Sequence, residues 1–108
     1  MDFQDILQRA TQIRQKYAAL EQKRHGSSWT NEELALGFVG DVGDLAKLVV
    51  AMEGKRDIPD VQSKLAHELA DCLWSVIALA NAYNINIEQA FLQTMNDLDS
   101  HISNAMEK

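Results

Sequence analysis

Two pairs of carboxylates set inside apolar helical sequence are the residues best placed to do chemistry. Asp41 and Asp44 stand in Gly40-Asp41-Val42-Gly43-Asp44-Leu45, and Glu68 and Asp71 in His67-Glu68-Leu69-Ala70-Asp71-Cys72. Members of each pair are three residues apart, which on a helix puts both side chains on one face about one turn apart. A carboxylate among Leu, Val and Ile costs free energy unless its charge is compensated. No Lys or Arg interrupts either motif. A hard divalent cation is the simplest counter-charge, because Mg²⁺ takes oxygen ligands and keeps part of its water shell. The four acids are therefore candidate ligands of Mg²⁺, with Mn²⁺ as the alternative ion.

Four helices are needed to position them. The chain has a single proline and few glycines, and it lacks β-branched alternation. The first helix is expected from about Phe3 to Lys23, with Asp2 as a possible cap and apolar residues recurring every three or four positions. Thr30-x-x-Glu33 is a capping box that opens a second helix reaching about Glu53. Gly54-Lys55-Arg56-Asp57 breaks it, and Pro59 fits the first turn of a third helix running to about Tyr83. Asn84-Ile85-Asn86 is a tight connection, and Asn86-x-x-Gln89 caps a fourth helix to about Ala105. The expectation is an all-α four-helix bundle forming one domain over residues 1–108.

On a helical wheel Phe38, Val42, Leu45 and Val49 form the stripe of the second helix, and Leu65, Leu69, Leu73, Val76 and Ala80 that of the third. The acids fall at the edges of these stripes, so antiparallel packing lets both pairs line one crevice. Gly37, Gly40 and Gly43 lie on the second helix, each costing about 1 kcal/mol of helix propensity relative to Ala. Close approach of a neighbouring helix, or room beside the acids for metal and phosphate, would explain them.

Composition narrows the function. Acidic residues outnumber basic ones by 16 to 10, for a formal charge of −6, which argues against general nucleic-acid binding. A nucleotide remains compatible, since Mg²⁺ bridges acidic protein to acidic phosphate. The one cysteine, Cys72, reads as a buried thiol. No cleavable apolar segment opens the chain, and the apolar run from Leu34 to Met52 is interrupted by Asp41, Asp44 and Lys47, so no membrane span is expected. A soluble cytoplasmic protein is the expectation.

Leu36-Gly37-Phe38-Val39-Gly40-Asp41-Val42-Gly43-Asp44-Leu45-Ala46 resembles the first motif of the MazG-like all-α nucleotide pyrophosphohydrolases. Glu68-Leu69-Ala70-Asp71 matches their second motif, and the likeness covers about residues 25 to 95. The resemblance implies Mg²⁺-dependent hydrolysis of a nucleoside triphosphate to monophosphate and pyrophosphate, a house-cleaning activity, with Asp41, Asp44, Glu68 and Asp71 as catalytic metal ligands. Two departures stand out. The first-motif acids are usually Glu, and many relatives carry Lys, Asn and Arg on the last helix. Here that stretch, Thr94-Met95-Asn96-Asp97-Leu98-Asp99-Ser100-His101, has no Lys or Arg. Phosphate charge would then fall to Lys55, Arg56, Lys64 or another subunit. A metal- or nucleotide-binding module with weak or lost turnover is the alternative reading.

Around the crevice, Trp29 could stack on a nucleobase or pack as a hydrophobic staple. Asn81 and Asn84 could hydrogen-bond a base or sugar, or simply end the third helix. Trp74 lies off its stripe and suggests a subunit contact, and His67 suggests a surface role. Leu36, Val39, Ala46 and Val50 extend the apolar arc of the second helix beyond its stripe. A homo-oligomer, dimer or tetramer, is expected to cover it.

Overall fold

The computed structural model describes residues 1–107. It contains four helices, α1 (Phe3–His25), α2 (Asn31–Met52), α3 (Val61–Ala82) and α4 (Ile87–Met106), with no strand among the described residues. The all-α expectation holds, and each boundary falls close to its local signal. Asp2 and Asp5 form a reciprocal capping box on α1, and Thr30 and Glu33 another on α2. Asn86 Oδ1 accepts from the Gln89 N–H to start α4. Pro59 stands just before α3 rather than in its first turn, because Asp60 between them is left-handed (φ 52).

Both α2 and α3 end in the same way. Gly54 (φ 78) and Asn84 (φ 56) reverse the chain. Their N–H groups donate to Ala51 and Asn81, and the next N–H groups, of Lys55 and Ile85, donate to Val50 and Ala80. These bonds satisfy carbonyls that a helix end leaves bare. Asn84 therefore serves helix termination, one of its two expected roles.

α3 packs along α2 and, less extensively, against α1. The α2–α3 seam differs from the expected stripes. On α2 the buried or half-buried line is Leu34, Gly37, Phe38, Asp41, Leu45, Leu48 and Ala51, whereas Val42 and Val49 are exposed. On α3 it includes Val61, Leu65, Glu68, Asp71, Cys72 and Ser75, whereas Leu69 and Leu73 are half exposed. Each helix is apolar over so wide an arc that either side could face inward. The observed rotation places Asp41 and Glu68 within the seam instead of at its edge.

α1 is fastened to the rest of the chain by polar contacts. Trp74 Nε1 donates to the Ala10 carbonyl at 3.1 Å, and the Trp74 ring lies 5.6 Å from that of Tyr17. Trp74 is thus an internal tie between α1 and α3, not the subunit contact expected from its position. The Arg14 guanidinium makes two hydrogen bonds, 3.1 and 3.2 Å, to the two oxygens of Glu21. Glu21 Oε1 also accepts the Trp29 N–H at 2.7 Å, which draws the α1–α2 connection back onto α1. α4 is held mainly at its start, where Gln4 hydrogen-bonds Glu88. From Phe91 onward its side chains are exposed. The radius of gyration, 17.4 Å, exceeds the roughly 13 Å of a compact 100-residue domain for this reason. No helix is long and apolar enough to cross a membrane among the described residues.

Burial works to raise the Glu21 carboxyl, but the hydrogen bonds from Arg14 and Trp29 and the charges of Arg14 and His25 outweigh it, and the net shift is downward. A lowered folded value means stability that is present above the ordinary carboxylate range, about pH 4, and lost as pH falls below it. Glu21→Gln should cost about 1–3 kcal/mol at pH 7 and flatten the acid limb of a pH titration of Tm. An unchanged acid limb would rule this pair out as an acid-sensitive tie.

Candidate metal centre

The antiparallel α2–α3 seam brings Asp41 and Asp44 opposite Glu68. One carboxylate oxygen from each of the three lies within 4.8 Å of the others. Asp41 and Glu68 are half-buried and Asp44 is exposed, so the cluster opens to solvent on one side. Glu68 Oε1 is buried with no hydrogen-bond partner. Burial first, then the negative charges of Asp41, Asp71 and Asp44 and the close approach of the Asp41 side chain, which only a protonated Glu68 could hydrogen-bond, push the Glu68 carboxyl above the usual carboxylate range. An orphaned buried carboxylate oxygen beside two further carboxylates is a site lacking positive charge, and its all-oxygen donor set fits Mg²⁺ or Mn²⁺.

Asp71 stands outside this three-oxygen cluster. Its Oδ2 is 3.2 Å from His67 Nε2, one turn back along α3. His67 is exposed, as its expected surface role implies, and from there it meets Asp71. Cys72 lies on the inner side, and burial, followed by the charges of Asp41, Glu68 and Asp71, pushes its thiol up. That keeps it protonated and makes it a packing group rather than a nucleophile.

Two recesses flank the carboxylates. On one side Arg14, Tyr17, Glu21, Trp29, Leu34, Gly37, Asp41, Trp74 and Ser75 enclose ≈ 240 Å³. Trp29 is 45% exposed at its rim, and a Cβ on Gly37 would sit 3.0 Å from the Trp29 ring. The close approach that explains Gly37 is thus an indole ring rather than a neighbouring helix. Gly40 and Gly43 face open space within the chain. On the other side Asp44, Lys47, Leu48, Ile58, Asp60, Ser63, Lys64, His67 and Glu68 line an open groove of ≈ 560 Å³.

The remaining candidate residues lie elsewhere. Lys55 lies in the turn after α2, two residues past the Glu53 cap, and does not line the groove. Asn81 Nδ2 donates to Thr11 Oγ1 at 2.8 Å, ten residues past Asp71 and so about 15 Å further along α3. Asn84 is in the turn beyond it. Lys47 was missed by sequence reasoning, although its place three residues after Asp44 carries the same helical-face signal as the acids. Arg14 and Glu21, seven residues apart on α1, are joined by a contact that only the folded loop makes visible.

Replacing Glu68 with Gln removes a buried charge while keeping shape. In divalent-free buffer Glu68→Gln should raise Tm by a few degrees, and the Tm rise that Mg²⁺ or Mn²⁺ gives the parent should disappear. A variant that keeps the full metal-induced rise would remove Glu68 from the site. Gly37→Ala should alter Trp29 fluorescence by displacing the ring, whereas Gly40→Ala, which meets nothing, should not.

Searches among curated proteins and among solved structures gave no match. The family model of the MazG nucleotide pyrophosphohydrolase domain matches residues 30–102, well over half of the chain. The match contains both acidic pairs and spans α2, α3 and most of α4, so the resemblance drawn from the motifs is borne out. The chain belongs to the MazG nucleotide pyrophosphohydrolase domain family.

Proposed function

We propose that this protein is a divalent-metal-dependent nucleoside triphosphate pyrophosphohydrolase that releases a nucleoside monophosphate and pyrophosphate. The observation that carries this reading is the orphaned Glu68 oxygen inside a cluster of three carboxylates. Asp41, Asp44 and Glu68 would hold the ion. Mg²⁺ or Mn²⁺ bound there supplies charge to phosphate oxygens and acidifies a coordinated water.

The chain's own residues divide the rest of the work. Asp71, outside the cluster and 3.2 Å from His67, is the fourth carboxylate and would orient the attacking water and accept its proton. Trp29 offers a partly exposed aromatic face to a base in the recess beside Asp41. Tyr17 and Trp74 give that recess stiff apolar walls, and the Arg14–Glu21 pair fixes the connection that carries Trp29. A metal-binding module without turnover is the second reading, favoured by an α4 that carries no Lys or Arg among its described residues.

The working unit is a homo-oligomer, a dimer or a tetramer, and a nucleotide substrate makes the cytoplasm the expected compartment. Support comes from apolar side chains left outside. Leu36 is 71% exposed and Val39 67%, while Phe91, Met95, Leu98 and Ile102 form an uncovered row along α4. Light scattering should give at least twice the 12.1 kDa chain mass. A well-folded monomer at micromolar concentration would contradict it.

Pyrophosphate release from a panel of nucleoside triphosphates with Mg²⁺ tests the activity itself. Turnover should vanish with a chelator. It should fall in Glu68→Gln by more than the roughly 10–100-fold that loss of an outer-shell partner costs. Metal and nucleotide binding without pyrophosphate release would favour the second reading instead.

A further inference from the structure

The seam carries three environments in a line. Gly37 and Asp41 of α2, with Trp74 and Ser75 of α3, border the aromatic recess. Asp41, Asp44 and Glu68 come next. Asp44, Lys47 and Leu48 of α2, with Lys64 and Glu68 of α3, border the groove beyond. Gly37 to Lys47 is ten residues of helix, about 15 Å, comparable to the length of an extended nucleotide with its phosphates.

Lys47 lies one turn past Asp44, and Lys64 lies one turn before Glu68, so the two lysines line one groove from different helices. The ion pairs among the described residues are Arg14–Glu21 and His67–Asp71, and neither lysine takes part. Both cations are therefore uncommitted, although the protein is strongly acidic. α4, by contrast, offers no Lys or Arg among its described residues.

Resting on the pyrophosphohydrolase reading, we propose that Lys47 and Lys64 form the subsite for the polyphosphate tail. The nucleotide then lies with its base against α1 and its terminal phosphates toward the α2–α3 connection. Hydrolysis joins the water oxygen to the α-phosphorus and breaks the bond from that phosphorus to the bridging oxygen. The bridging oxygen leaves with the electron pair as part of pyrophosphate, which remains between the two lysines, and the water proton passes to a carboxylate. This polarity makes the groove a length sensor: a triphosphate fills it and a monophosphate does not reach it.

The test uses the full chain carrying Lys47→Met and Lys64→Met, singly and together, since Met keeps most of the aliphatic stem. Calorimetry with Mn²⁺ alone, a nucleoside monophosphate with Mn²⁺, and inorganic pyrophosphate with Mn²⁺ is paired with nucleoside triphosphate kinetics. Each Met substitution should weaken pyrophosphate binding and raise the triphosphate KM by about tenfold. Mn²⁺ and monophosphate affinities should not change, and Lys→Arg at either position should retain tight pyrophosphate binding. Unchanged pyrophosphate affinity and triphosphate KM in the double Met variant, with turnover intact, would overturn the subsite and leave the enzyme reading standing. A parent protein that binds Mn²⁺ but no triphosphate would overturn both.

Discussion

Repulsion among carboxylates governs this molecule. Asp41, Asp44 and Glu68 are held close together in the α2–α3 seam, and one oxygen of Glu68 is shut away from water without a partner. Burying charge without compensation costs free energy, so the surrounding packing must hold the helices together against it. Leu48, Ala51, Ile77, Ala78 and Ala80 form the buried apolar core, a small set for a chain of 108 residues. A bound cation would turn the same arrangement from a burden into a clamp across the two helices. Site and fold are thus one problem here, because the seam that carries the chemistry is also the main packing interface.

The polar ties of α1 take on meaning in that light. α1 contributes no carboxylate to the cluster, yet it backs α3 through the Trp74–Ala10 hydrogen bond and orders the connection to α2 through Glu21. The connection in turn places Trp29 over Gly37, four residues before Asp41, the first acid of the cluster. α4 shows the opposite economy of contact: it is anchored at its first turn and leaves a row of large apolar side chains in solvent. A face of that kind is the sort that marks an interaction surface.

Helix number and most ends were legible, because caps are local: Thr30 with Glu33, and Asn86 with Gln89, announce themselves within four residues. The convergence of the first acidic pair with Glu68 was legible too, through helical spacing and a short antiparallel connection. Which side of each wide apolar arc turns inward was not. Val42 and Leu69 are as hydrophobic as Leu45 and Leu65, and only packing against a second surface separates them. Long-range side-chain ties such as Trp74 with Ala10, and Asn81 with Thr11, depend on helix crossings that spacing alone does not encode.

The family match begins at residue 30, beyond the end of α1. The carboxylates and both groove lysines therefore lie inside the shared region, while Arg14, Tyr17 and Glu21, which wall the aromatic recess, lie outside it. The carboxylates thus lie wholly within the shared stretch, whereas the recess is walled from both stretches, with Leu34, Gly37, Trp74 and Ser75 on the shared side. Substitutions in α1 can therefore reshape one wall of the recess without touching the acids. For this scaffold α1 is the natural cassette for redesign, to be exchanged while the α2–α3 seam is left intact.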